Sequence, residues 1–242
     1  MPRVREYAQP PPGPAPSGPP RRGLRGEWRL GLQMARLIAA TPTLACAPRG
    51  DGAPVVLIPG WKAPTASMLP LRTFLRYLGH DARDWELGVN EGRPQRDAPR
   101  LAEQTERLAS TTGRPAAVIG WSLGGTIARE AARQAPHAIS QVITYGTPVV
   151  GGPTHTIGAR SYGPEESARI SALIEQLDAA SPISVPITAI FTRRDGIVSW
   201  PACIDRTSPE VRHIEVSSTH ISMGFDPDLW RTIADRLTPT GD

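Results

Sequence analysis

Apolar positions along this chain follow two rhythms. Short unbroken runs, such as Pro54-Val55-Val56-Leu57-Ile58 and Ala116-Ala117-Val118-Ile119, alternate with longer stretches whose apolar residues recur at helical spacing. Unbroken runs bounded by Gly or Pro predict strands covered on both faces, and the longer period predicts amphipathic helices. Six strands are expected: Pro54 to Ile58, Ala82 to Leu87, the run from Ala116, Gln141 to Tyr145, Ile187 to Phe191 and Val211 to Val216.

Between them lie helical patterns. Leu71, Phe74, Leu75 and Leu78 share one face, and Gly79 supplies the usual stop. Asp97 is expected to cap a helix carrying Leu101, Thr105, Leu108 and Ala109, ended by Gly113. Pro136 ends an Ala-rich helix after the third strand, and Asp226-Pro227 starts a last one. Near the N-terminus, Leu30, Met34, Leu37 and Ile38 predict a short helix within 23–45, its apolar face packed on the edge of the core rather than on a membrane surface. Strands alternating with helices imply an α/β fold, a doubly wound, mainly parallel six-stranded sheet flanked by helices. Residues 149–186 interrupt the alternation and predict a short cap insertion with one helix, built on Ile170, Leu173, Ile174 and Leu177.

Composition narrows the picture. The 242 residues suit one domain, and no apolar run is long enough to span a membrane, so stable membrane insertion is not expected. The formal charge of +4 belongs to the tail, where Arg3, Arg5, Arg21, Arg22 and Arg25 face only Glu6 and the body is neutral. A Pro-rich arm with little to bury predicts disorder over residues 1–22. Charge confined to such an arm is not a basic stripe on a folded face, so no nucleic-acid partner is expected. Cys46 and Cys203 are the only cysteines, and no secretory signal is visible, which suggests a reducing cytoplasm. No pair of histidines or cysteines has zinc-site spacing, and Gly120-x-x-x-Gly124-Gly125 lacks the Lys of a phosphate loop, so neither a metal nor a cofactor is expected.

The candidate chemistry sits at the carboxyl ends of the strands, where open α/β sheets place their sites. Gly120-Trp121-Ser122-Leu123-Gly124 falls between strand and helix, the context in which a strained turn exposes a serine hydroxyl. Asp195 follows the fifth strand and His220 the sixth. A serine hydroxyl needs a base, imidazole can serve near neutral pH, and a carboxylate holds the required tautomer. Ser122, Asp195 and His220 are therefore the candidate catalytic residues, and the backbone N–H groups of Leu123 and Trp61 are the candidate oxyanion donors. Competing positions fit less well: His213 lies inside a strand, His80 and His137 follow helices, His155 lies in the insertion, and neither Asp178 nor Asp205 directly follows a strand. Trp61, Trp121, Met68, Ile197, Val198, Trp200 and Met223 lie near these loops in sequence and are candidates to line a substrate pocket or to belong to the core.

Five segments together carry a resemblance: Ile58-Pro59-Gly60-Trp61, Gly120-Trp121-Ser122-Leu123-Gly124-Gly125, Tyr145-Gly146-Thr147-Pro148, Asp195-Gly196-Ile197-Val198 and Thr219-His220. With them the chain resembles a small serine hydrolase of the α/β-hydrolase superfamily, on its lipase and esterase side, over residues 55–237. The resemblance implies Ser122 as nucleophile, His220 as base, Asp195 as acid, Trp61 and Leu123 as oxyanion donors, and a small-molecule ester as substrate. It departs from many members in having Pro59 where they have His, and Trp121 where they have His. An acyltransferase or thioesterase with the same three residues, and a catalytically silent binding protein, are the alternatives.

Overall fold

The computed structural model describes residues 4–18, 20 and 27–238. Seven strands form one sheet in the order β1-β7-β6-β5-β4-β2-β3. They are β1 (Arg5–Tyr7), β2 (Pro54–Ile58), β3 (Asp81–Asp84), β4 (Ala116–Trp121), β5 (Ile139–Tyr145), β6 (Ile187–Phe191) and β7 (Val211–Glu215). β2 to β7 run parallel, and β1 pairs antiparallel with β7. The helices are α1 (Leu30–Ala45), α2 (Leu69–Tyr77), α3 (Pro94–Thr112), α4 (Leu123–Gln134), α5 (Ala159–Tyr162), α6 (Pro164–Ala180) and α7 (Pro227–Leu237).

The two apolar faces of the sheet make two cores. Leu57, Ile119, Tyr145 and Ile190 pack with α2 and α7 on one side, whereas Val56, Val118, Val142 and Ala189 pack with α3 and α4 on the other. This double covering explains why β2 and β4 read as continuous apolar runs and β6 as one broken only by Thr188. Gly120, Gly124 and Gly125 let β4 and α4 close on their neighbours. A methyl group on Gly120 would lie 2.4 Å from Gly125, one on Gly124 2.5 Å from the Ile58 carbonyl oxygen, and one on Gly125 2.0 Å from the Thr147 hydroxyl.

Four expectations need correction. The sheet has a seventh strand, because Arg5–Tyr7 are ordered on the free edge of β7 rather than disordered. The tail is fixed there by Tyr7, whose hydroxyl donates to Glu215 at 2.8 Å and whose ring lies 6.3 Å from Phe191. Pro11 is buried, Gly13 sits against the Trp200 indole, and the Ser17 carbonyl lies 2.8 Å from His155 Nδ1. Residues 1–3, 19 and 21–22 of the expected disordered tail lie outside the described residues.

Second, α3 starts at Pro94, so Asp97 lies in its first turn and pairs with Arg96 at 2.7 Å instead of capping. Asp226, by contrast, caps α7 by accepting the Asp228 N–H at 3.0 Å. Third, the insertion holds two helices, α5 and α6, and a 3-10 turn over Gly152–His155. The break between the helices falls at Gly163, whose φ of 77° suits only glycine. Fourth, only part of the apolar period of α1 meets the core, where Leu37 and Ala40 pack. Gln33 and Leu44 are buried, whereas Met34 and Ile38 are exposed. Polar pairs decide this orientation: Gln33 Nε2 donates to Asp226 at 3.2 Å and Arg36 to Asp228 at 2.7 Å.

Candidate active site

Ser122 is the residue on which β4 turns into α4. Its φ of 53° and ψ of −123° lie in a region that non-glycine residues rarely occupy, and such strain persists only where the surroundings enforce it. The enforcing contacts are visible. The Ser122 N–H donates to the Tyr145 carbonyl at 2.9 Å, and the Ser122 carbonyl accepts the Thr147 hydroxyl at 2.9 Å.

Asp195 and His220 come together from the loops after β6 and β7. His220 Nδ1 lies 2.7 Å from Asp195 Oδ2, and both side chains are buried. The other carboxylate oxygen, Oδ1, accepts the N–H groups of Ile197 at 2.8 Å and Val198 at 2.7 Å. A carboxylate holding two backbone donors can only accept the third bond, so His220 Nδ1 is the protonated nitrogen and Nε2 is left basic. His220 lies against Gly146: a methyl group there would sit 2.9 Å from the imidazole, and the φ of 61° also requires glycine. Ser122 and His220 thus meet the Tyr145-Gly146 turn from two sides.

The turn after β2 completes the cluster. A methyl group on Gly60 would lie 3.5 Å from Ser122 Cβ, so this backbone, one residue before Trp61, abuts the serine. Leu123 opens α4, where N–H groups are unsatisfied by the helix. Among the described residues, neither the Trp61 nor the Leu123 N–H donates to a loop carbonyl.

The candidate pocket residues divide. Trp121 stacks on Tyr145 with centroids 6.5 Å apart and lies 6.0 Å from the His220 ring, walling the base on one side. Met68 and Met223 are fully buried; the Met68 sulfur accepts the Tyr145 hydroxyl at 3.4 Å, and Met223 sits over Gly146. Burial pushes the Tyr145 hydroxyl pKa well above its ordinary value, which keeps that hydroxyl neutral. Val198 packs with Phe191, Cys203 and Ile204, and Ile197 is only partly buried against them. Those two residues hold Asp195 through their backbones. Trp200 stacks on Phe191 at 5.7 Å beneath the tail.

The competing residues are otherwise engaged. Asp205 pairs with Arg129 at 2.5 Å and accepts from Thr207 and Ser208, and Asp178 pairs with Arg133 at 2.6 Å. His80 and His213 are buried without a side-chain hydrogen bond, and burial lowers both pKa values. His137 is exposed beside Glu106, and His155 holds the tail. Cys46 and Cys203 are both free thiols. Among the described residues there is no His, Cys, Asp and Glu cluster suited to a metal.

Two positioning groups were missed in the sequence. Asn90, fully buried, donates to the Pro59 carbonyl at 2.8 Å, and its backbone carbonyl accepts from Lys62 at 2.7 Å, so it fixes the turn that carries Trp61. Glu27 accepts from the Thr219 hydroxyl at 2.7 Å and the Ile221 N–H at 3.1 Å, one residue to either side of His220. Each is a lone polar residue outside any motif. The cap also reaches the site: Tyr162 of α5 lies 6.2 Å from Trp61, ring to ring.

Residues 55–240 match the alpha/beta hydrolase family. The chain belongs to that family. No curated protein matches the sequence significantly. Among solved structures, a lipolytic enzyme of the metagenome-derived LipS and LipT pair is similar at a TM-score of 0.58 and 16% identity, covering 78% of this chain and 93% of that one. Lipase B of Aspergillus fumigatus is similar at a TM-score of 0.58 and 19% identity, covering 78% of this chain and 53% of that one. A deformylase from Pseudomonas putida S16 is similar at a TM-score of 0.56 and 17% identity, covering 78% of this chain and 94% of that one. At these identities the likeness is one of fold, shared by family members with different substrates.

Proposed function

We propose that this member of the α/β-hydrolase family is a serine hydrolase that cleaves carboxylic esters through an acyl-enzyme on Ser122. The observation that carries the reading is the 2.7 Å contact between His220 Nδ1 and Asp195 beside a strained Ser122. In this mechanism His220 Nε2 takes the hydroxyl proton as Ser122 Oγ attacks the ester carbonyl. Asp195 holds the ring and stabilises the imidazolium that forms. The N–H groups of Trp61 and Leu123 stabilise the oxyanion. The proton then passes to the departing alcohol, and a water activated by His220 releases the acid and restores Ser122.

Trp121, Met68 and Met223 form the apolar wall behind the reacting carbonyl, and Ile197 borders it from the Asp195 loop. The small cap, with Tyr162 against Trp61, favours a neutral small-molecule ester. The two unlinked thiols fit a reducing compartment such as the cytoplasm.

The test is labelling by a fluorophosphonate together with hydrolysis of nitrophenyl butyrate. Labelling of Ser122, lost in Ser122→Ala, with turnover of the ester, is the expected result. An unlabelled but folded protein would make the chain a binding module. Product transfer to an added alcohol in preference to water would make it an acyltransferase.

A further inference from the structure

The exposed face of α1 is apolar along its whole length. Trp28, in the turn before the helix, is 74% exposed, Leu32 58%, Met34 45% and Ile38 74%. Ala35, Ala39 and Pro42 continue this face, and all are exposed. At about 100° per residue, positions 28, 32, 35, 38, 39 and 42 fall on one side of a helix. That side carries no charge, although it faces out. The inward side packs Leu37, Ala40 and Leu44 on the core and also carries Gln33 and Arg36, bound to Asp226 and Asp228.

The sequence just before the helix is basic. From residue 21 to 29 the sequence has Arg21, Arg22, Arg25 and Arg29, and its single acid is Glu27. The Arg29 guanidinium lies 5.5 Å from the Trp28 ring centre, so a cation sits beside the most exposed aromatic. Glu27 is turned inward on Thr219 and Ile221, away from that role.

From these observations we infer that the outer face of α1 adsorbs the protein on an anionic lipid surface. An aromatic and aliphatic stripe that follows a basic segment is the composition that lies in the headgroup region of a bilayer. A second copy of this chain is a poorer occupant. Two copies meeting through α1 would bring like charge, Arg29 and the sequence before it, to one contact. Adsorption leaves the helix parallel to the surface; among the described residues no helix is long and apolar enough to cross a membrane. Because α1 begins next to Glu27 on the His220 loop, the adsorbed protein holds its catalytic loops close to the lipid. The inference stands apart from the ester chemistry, since binding is read without turnover.

Flotation with phosphatidylcholine vesicles, with and without about a third phosphatidylglycerol, tests it. The full chain should float with the anionic vesicles and much less with the neutral ones, and binding should weaken as salt is raised. The triple variant Trp28→Ser, Leu32→Ser, Ile38→Ser should lose binding by more than about tenfold while keeping its melting temperature. Arg29→Glu, which leaves the apolar stripe in place, should bind anionic vesicles several-fold more weakly. Leu173→Ser, on the exposed cap helix, should bind as the parent does. Equal flotation with both vesicle types, no flotation, or unchanged binding of the triple variant would overturn the inference. So would a parent chain that is dimeric by light scattering and becomes monomeric in the triple variant, since a second copy would then cover the face.

Discussion

Glu27 accepts the Thr219 hydroxyl at 2.7 Å, joining the turn before α1 to the residue preceding His220. It also accepts the Ile221 N–H, so a single carboxylate grips the chain on both sides of the proposed base. Glu27→Leu should lower kcat by about 1–2 orders of magnitude, because misplacing a base by about 1 Å costs that much. KM should change little. Glu27→Gln keeps an acceptor oxygen and should recover most of kcat. A loss divided equally between kcat and KM, or no rescue by Gln, would assign Glu27 to stability alone.

Ser122→Ala and His220→Ala should each leave only background turnover of nitrophenyl butyrate. Asp195→Asn should lose about four orders of magnitude, because an amide favours the wrong His220 tautomer. His213→Ala should stay active, since that ring is buried on β7 away from the serine. All four variants need only steady-state assays and a melting curve.

Deleting residues 1–18 should lower the melting temperature by several degrees. The segment supplies β1, the Tyr7 contacts and the cover over Trp200. Losing interactions of that number costs about 1–3 kcal/mol. An unchanged melting temperature would show that these contacts are empty of energy.

Stability should fall as pH drops through the usual histidine value of 6.5. Burial depresses the pKa of both His80 and His213, so between that value and their folded ones the unfolded chain binds more protons. The contribution is complete above 6.5 and disappears below it. Melting temperatures recorded from pH 8 to pH 5 should show this decline, and His213→Leu should flatten it.

Specificity constants for nitrophenyl esters should rise from acetate and peak near butyrate to octanoate. Each methylene that enters the apolar wall gains about 0.8 kcal/mol until the space ends. A cap of only two helices, α5 and α6, should cover a short acyl chain and offer little to a long one. A continuous climb to palmitate would reveal a longer channel than the cap allows.

Much of the fold was legible because its strands announce themselves. A strand covered on both faces is largely apolar, as β2, β4 and, but for Thr188, β6 are, and the loops after β4, β6 and β7 carry Ser122, Asp195 and His220 in turn. What escaped has a physical reason in each case. β1 is Arg-Glu-Tyr, without an apolar rhythm, and exists because β7 offered an unpaired edge and Phe191 a surface for Tyr7. The outward turn of Met34 and Ile38 was hidden because apolar period alone says that a face exists, not which way each part of it points. Gln33 and Arg36 settled that by finding Asp226 and Asp228, almost two hundred residues away in sequence. Asn90 and Glu27 act through backbone groups of distant loops, which no local pattern encodes.

The antiparallel β1 has a further consequence, for association between copies. A long, flat, open sheet edge invites a second chain to add a strand. On this sheet one border is β1, three residues with Arg5 and Glu6 exposed. The other is β3, the four residues Asp81-Ala82-Arg83-Asp84. Both borders are short and charged, and neither offers a template for strand addition. Removing the tail would expose β7 instead, a five-residue border with His213 at its centre and Ile214 beside it. The N-terminal segment therefore acts as a guard against edge-to-edge aggregation, independent of whatever it contributes to catalysis or to lipid.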